Sequence, residues 1–331
     1  MLAGGHGVPA ARPEGGSRAT VEALVRCLQA AGGTLRCGHP AERVEVAGGR
    51  AVAVHAAGER FEAARAVVSA VDARRLFLGL LDERDVPTRL TEEVRRIHVG
   101  RANVSELKVD AVLASRPPVP GPAGYQRSFL LSANTIADVE RSFASIRLGE
   151  LPHRPPLMIA FPSALEPGWA PDGQETLWLS TFVPWRLESG PWTPQALDRA
   201  AQHAWTTAER ALGVTLEPVG RRVTGPVDWV ARTGNPHANP NHIEMSVDQL
   251  LGFRPSPSLA HYRTPVEALF LTGAGTHPGG GLTGIPARNT AAVVLDTLDL
   301  QRRRQTGQAL REQAARLLDA ARAIRTLRAG R

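Results

Sequence analysis

The sequence predicts a mixed α/β fold, α+β overall, in about two domains. Three observations carry that reading. Segments with apolar residues at helical spacing, 20–31 and 194–212, alternate with short β-type runs. Glycine and proline, 32 and 26 residues, punctuate those runs with turns. Near the C-terminus, an apolar run, 268–272, enters a glycine-rich loop and then a helical pattern to about 300. The length of 331 residues fits two domains at roughly 150 residues each.

Taken in order, residues 1–18 read as a loop rich in Gly, Pro and Ala. Val21, Leu24, Val25 and Leu28 form a helical stripe over 20–31, with Thr20 as N-cap and Gly32-Gly33 as stop. Residues 34–37 read as a short strand, and 42–46, 50–55 and 60–62 as an antiparallel meander with Gly48-Gly49 and Gly58 at its turns. Ala66–Ala70 suits a strand buried on both faces, and Asp72 caps a helix to about Leu81. Residues 102–113 alternate as a long strand. Asp138–Leu148 reads as a helix, Leu157–Phe161 and Glu175–Val183 as strands, and Pro194–Leu212 as a helix with Pro in its first turn and Gly213 at its end. Residues 225–262 read as irregular, 287–300 as a helix, and 307–328 as a further amphipathic helix.

Composition narrows the function classes. Hydrophobic residues make up 43% and charged residues 21%, which excludes wholesale disorder. The two cysteines, Cys27 and Cys37, build no disulfide framework and form no C-x-x-C. No stretch reaches 18 apolar residues and the first twenty lack an apolar h-region, so a cytoplasmic location is expected. The net charge of +7 lies in residues 301–331, where nine arginines face only Glu312 and Asp319. The remainder is neutral overall and carries no nucleic-acid motif, so no nucleic-acid partner is expected. The basic tail reads as a solvated helix, with peripheral membrane contact as the other reading. One lysine, Lys108, stands against 38 arginines.

The segment 268–300 is the most informative. Gly273, Gly275, Gly279, Gly280 and Gly281 place five glycines in nine residues between strand and helix. Glycines allow positive φ and close backbone approach, and a helix start presents free N–H groups. The pair makes a site for a phosphate or another electron-rich oxygen, or else a turn that only packs helix on strand. Residues 279–284 also spell G-x-G-x-x-G, yet GAGTHP separates them from the strand, so they do not read as a dinucleotide fingerprint.

FLTGAGTHPGGGLTGIPARNTAA resembles the C-terminal flavin motif of the phytoene desaturase-like FAD-dependent oxidoreductases. NHIEMSVDQLLGFRP is similar to the family segment just upstream of that motif. GGSRATVEALVRCLQAAGGTLRCGHPAERVEVAGGRAVAV, followed by AVVSAVDARRLF, resembles its helix–strand–meander block. Within the family, the likeness is greatest to the subgroup of pyridine nucleotide-disulfide oxidoreductase domain-containing protein 2. The resemblance implies a partial glutathione reductase-like FAD/NAD(P)-binding domain plus an antiparallel-sheet substrate domain. Residues 1–75 would be the first FAD-binding segment, 76–265 the substrate domain, 266–300 the C-terminal FAD-binding segment and 301–331 a basic helical tail. It implies FAD as cofactor, with Gly273, Ala274 and Gly275 bordering flavin or pyrophosphate. Thr283, Gly284 and Ile285 would lie near the pyrimidine end of the flavin, and the Ala41 backbone would meet the adenine. The implied reaction removes hydride from an apolar small-molecule substrate, with the flavin carrying the chemistry and no side chain assigned as catalytic.

The chain departs from the family pattern in lacking the ββα unit whose G-x-G-x-x-G cradles the pyrophosphate. The expectation is a chain truncated at its N-terminus, or one that works with a second chain supplying that unit; the alternative is a non-catalytic remnant or interaction module. Isolated, it is expected to bind FAD weakly or not at all. His237, His242, His261 and His277 match no metal spacing, and no metal is expected. Asp248 and Arg254 read as an interior ion pair or as caps. No G-x-S-x-G elbow surrounds Ser163, Ser180 or Ser256. Trp169, Trp178, Trp185, Trp192 and Trp205 read as core anchors, with a wall for an apolar substrate as the other reading.

Overall fold

The computed structural model describes residues 13–121, 123–133 and 135–299. The chain forms two compact units, each built from two stretches: residues 1–39 with 99–240, and 40–98 with 241–331.

The first unit carries α1 (Ser17–Ala30). Of the second unit's first stretch, β1 (Ala41–Ala47), β2 (Arg50–Ala56) and β3 (Glu59–Glu62) form an antiparallel meander. β4 (Val67–Ser69) follows, and Asp72 caps α2 (Ala73–Arg75) by accepting the Arg75 N–H at 3.0 Å. The expected helix to Leu81 continues as a π-turn, Leu76–Leu80, and α3 (Thr88–Arg95) comes after Pro87.

The first unit resumes with β5 (Val104–Leu113), β6 (Leu130–Leu131), α4 (Ile136–Leu148), β7 (Met158–Ala160), β8 (Glu175–Pro184), α5 (Pro194–Leu212), β9 (Pro218–Thr224) and α6 (Pro226–Thr233). Its five strands form an antiparallel sheet in the order β6-β7-β8-β5-β9. β5 alternates without a break: Ser105, Leu107, Val109, Ala111 and Leu113 are buried, and the residues between them are half-buried. The buried face packs on α5 through Ala200, Ala204, Trp205 and Ala208. Alanines on that helix stripe let the sheet approach closely, and each buried Leu contributes roughly 1.5–3 kcal/mol. Thr193 caps α5 at the Ala196 N–H, and Gly213 ends it at φ 68°. At the start of β8 the fully buried Glu175 accepts from Arg116 Nε at 2.6 Å and from Ser163 Oγ.

In the second unit, β10 (Leu269–Leu271) pairs parallel to β4, with Leu269 opposite Val67. All three β10 residues are buried. The last helix among the described residues, α7, spans residues 285–299. The long irregular segment between α6 and β10 is held by side-chain to backbone bonds in place of ladders, as the site below shows.

Several elements differ from the sequence reading. Residues 34–37 form no strand. α1 starts at Ser17, not Thr20, with Gly16 at its N-cap and no residue buried. β9, with Gly220, Arg221 and Arg222, has weak strand propensity and forms because β5 offers it an edge. α6 hides in a Pro-rich stretch, where Pro226 sits at its first turn and the Asp228 carboxylate accepts the Gly225 N–H at 2.8 Å. The expected helix 307–328 lies outside the described residues.

Candidate functional site

The glycine loop leaves β10 at its buried C-terminal end. Thr272 N–H donates to Ser69 O at 2.8 Å, which carries the strand pairing to the edge of the loop. Gly273 then turns with φ 90°, and a Cβ there would stand 3.0 Å from Ala70 O and 3.4 Å from His242 Cε1. Only glycine meets both demands. Thr276 closes the turn, its N–H and Oγ1 both donating to Gly273 O at 3.0 and 2.9 Å. A Cβ on Gly275 would touch His242, and one on Gly279 would meet Met245 Sδ at 3.2 Å and Arg254 Nε at 3.6 Å. At these positions the loop packs closely on His242, Met245 and Arg254.

Arg254 fixes the loop from beneath. Its Nη1 donates to Glu244 O at 3.0 Å and Gln249 O at 3.3 Å, and its Nη2 to Asn241 O and Ala274 O at 2.8 Å each. One guanidinium thus ties the NHIEMSVDQL segment to the loop. Tyr262 is a second brace: its hydroxyl donates to His277 O at 2.9 Å and accepts from Asn289 Nδ2 of α7 at 2.8 Å. At the helix start, Thr283 Oγ1 accepts the Ile285 N–H at 3.3 Å, and Gly284 turns with φ 67°. Thr283, Gly284 and Ile285 are exposed, and Leu282 is 98% exposed.

The sequence-derived residues fall into two groups. Gly273, Ala274, Gly275, Thr283, Gly284 and Ile285 belong to one loop between β10 and α7. Ala41 opens β1 in the same unit, half-buried, and no hydrogen bond links it to the loop among the described residues. Asp248 and Arg254 do not pair: Asp248 is exposed and lies 3.4 Å from His98 Nδ1, while Arg254 binds carbonyls alone. The R-P in LGFRP marked Arg254 in the sequence, but its partners are backbone atoms, which no residue pattern reveals.

The polar lining of the site is incompletely satisfied. His242 Nδ1, His277 Nδ1, Arg254 Nε and Thr272 Oγ1 are buried and have no hydrogen-bond partner among the described residues. Native interiors hold few such atoms, and these four can each take a further polar partner. Burial lowers the His242 pKa; the Asp72 charge opposes that shift and the Arg254 charge adds to it. His242 is therefore neutral at pH 7. Burial also pushes Arg254 down to about 10, which leaves it charged. The loop thus offers open backbone, a helix start and a fixed cation to a ligand rich in anionic oxygens. An FAD diphosphate or the electron-rich pyrimidine edge of a flavin fits that donor set. Among the described residues no three His, Cys, Asp or Glu side chains gather as metal ligands.

Comparisons with known proteins agree with this geometry. Residues 2–286 match the family model described as flavin containing amine oxidoreductase. The chain is 34% identical over 188 residues to pyridine nucleotide-disulfide oxidoreductase domain-containing protein 2 of Rattus norvegicus, covering 55% of this chain and 32% of that protein. It is 26% identical over 279 residues to the zeta-carotene-forming phytoene desaturase of Myxococcus xanthus, covering 82% of this chain and 49% of the relative. It therefore spans a third to a half of the length of these relatives. The crystal structure of an oxidoreductase from Methanosarcina mazei shares the fold, with a TM-score of 0.52 at 15% identity over 86% of this chain and 54% of the other. With the family model matched over most of its length, and FAD as the cofactor which that family indicates, the chain belongs to the flavin-containing amine oxidoreductases.

Proposed function

We propose that this chain is the substrate-domain and C-terminal flavin portion of a phytoene dehydrogenase-like oxidoreductase that removes hydride from an apolar substrate. The observation that carries the reading is the braced glycine loop between β10 and α7, with its orphaned polar atoms. FAD, when bound, supplies the hydride acceptor. The residues of this chain would hold it: Gly273 and Gly275 would let the loop backbone come close to it, Arg254 and Tyr262 fix the loop, and the start of α7 would offer N–H groups to its electron-rich edge.

Two features support an apolar substrate. The Myxococcus xanthus relative is named as a phytoene desaturase. The first unit also holds a cavity of about 970 Å³ walled by Phe129, Phe161, Leu165 and Trp169, with Trp178 edge-on to Phe129 at 5.9 Å. These residues give the cavity one apolar face, beside Glu14, Arg127 and Glu166, and that face suits an apolar group.

A further polypeptide, carrying the nucleotide-binding unit, completes the site in this reading. Among the described residues β4 pairs only with β10, and an isolated pair of parallel strands is not a stable sheet. Val68, Leu282, Ile285 and Leu295 are exposed on that unit. Exposed apolar groups beside an open strand edge are what a missing sheet half would cover.

The test is anaerobic reduction of FAD bound to the chain, alone or with the completing polypeptide. Polyene or other apolar C–H donors should bleach the visible flavin band, and primary amines should not. Bleaching by amines alone would overturn the assignment.

A further inference from the structure

Arg254 is 0% exposed, and among the described residues no ion pair answers its charge. Burial lowers its pKa, and the hydrogen bonds it makes among the described residues all end on backbone carbonyls. Glu244 meets the guanidinium through its carbonyl. Four of the five N–H donors are used by the backbone, and the fifth, on Nε, is buried without an acceptor. A brace for loops needs donors, not a charge; a buried cation without an anion costs several kcal/mol that a neutral donor would avoid. Nε lies 3.6 Å from the place a Cβ would take on Gly279, so the loop backbone, with the Met245 side chain beside it, covers the guanidinium on that side.

We propose that Arg254 is a positioning residue that makes the glycine loop an anion site, its charge being answered by an anionic group of the bound cofactor. The identity of that anion rests on the FAD reading. Two groups share the chemistry: the diphosphate, and the flavin ring once reduced. His242 fits the same design. It is neutral, so it adds no second positive charge, and its unpartnered Nδ1 borders Gly275.

The experiment measures binding of FAD, ADP, adenosine, and oxidised and dithionite-reduced riboflavin to the full chain by calorimetry. It compares the wild type with Arg254→Gln and Arg254→Lys. The wild type should bind ADP at least tenfold tighter than adenosine, or reduced riboflavin at least tenfold tighter than oxidised. The first result assigns the charge to the diphosphate and the second to the ring. Arg254→Gln should abolish that preference and weaken FAD at least tenfold, about 1.4 kcal/mol. Its affinity for adenosine and oxidised riboflavin should stay within twofold. Arg254→Lys, which keeps the charge but not the four-carbonyl fit, should retain the preference.

Equal weakening of charged and neutral probes in Arg254→Gln would make the residue a brace only and overturn the proposal. So would a wild type that prefers neither anion, a result that needs no variant to fold. A wild type that prefers ADP but rejects FAD keeps the anion site and removes the FAD reading. FAD binding untouched by Arg254→Gln does the reverse.

Discussion

His242 and Gly273 meet at the turn out of β10, and each makes a separate prediction. Burial holds His242 neutral in the fold, whereas in the unfolded chain it takes up a proton below about pH 6.5. The unfolded state then binds more protons than the native state, so stability is full above that pH. It falls as the pH drops, by up to about 1.4 kcal/mol per pH unit, until the lower folded pKa is reached. Urea unfolding from pH 7.5 downward should show this slope, and His242→Gln should flatten it. Gly273 and Gly284 both have positive φ, 90° and 67°, but only Gly273 has a carbonyl 3.0 Å from the Cβ position; Gly284 has open space. Alanine at Gly284 should cost about 1 kcal/mol for the backbone alone. Gly273→Ala should cost at least about 1 kcal/mol more, as measured by thermal melts of the two variants.

At the scale of elements, packing separates structure from surface awaiting a partner. Leu107 on β5 is buried against α5, and Leu107→Ala should cost about 2–5 kcal/mol. Leu24 on α1 has the same amphipathic logic in sequence but is exposed, so Leu24→Glu should change stability by less than about 0.5 kcal/mol. Glu175 heads β8 fully buried, and Glu175→Ala should cost about 2–3 kcal/mol; the half-exposed Arg116 partner keeps this below the figure for a fully buried pair. Chemical denaturation of the three variants checks the ranking.

The same elements explain what the sequence could show. α5 was legible from Pro194, its alanine stripe and Gly213, and β5 from its alternation, because those signals are local. α1 was legible as a helix, but not as one with an uncovered face, since periodicity reports a stripe and not what lies on it. β9 and α6 were not legible: an arginine-rich edge strand forms only when β5 pairs with it, and a cap made by Asp228 on Gly225 carries no serine or threonine signature. In the candidate site, the glycine run was legible as a turn between strand and helix, and Gly273, Gly279, Gly281 and Gly284 do take positive φ there. The Arg254 brace was not, because its four acceptors are carbonyls spread over residues 241–274.

For the whole molecule, two compact units carry distinct tasks. One builds an antiparallel sheet with a large aromatic-walled cavity, and the other holds the glycine loop on a two-stranded parallel sheet. No helix among the described residues is long and apolar enough to cross a membrane. The chain matches its family over residues 2–286 while spanning a third to a half of the length of its relatives; in the proposed reading the rest of the flavin site lies on further polypeptide, and binding to residues 1–331 alone is weak. Weak binding is still binding: at millimolar FAD a site worth about 4 kcal/mol is half filled. Hydrogen exchange of the full chain with and without millimolar FAD therefore tests the central claim most directly. Slowed exchange in peptides covering 241–249 and 273–285, with the β5–β8 sheet unchanged, is the predicted result. No slowing anywhere, or slowing confined to the cavity beside Trp169, would contradict it.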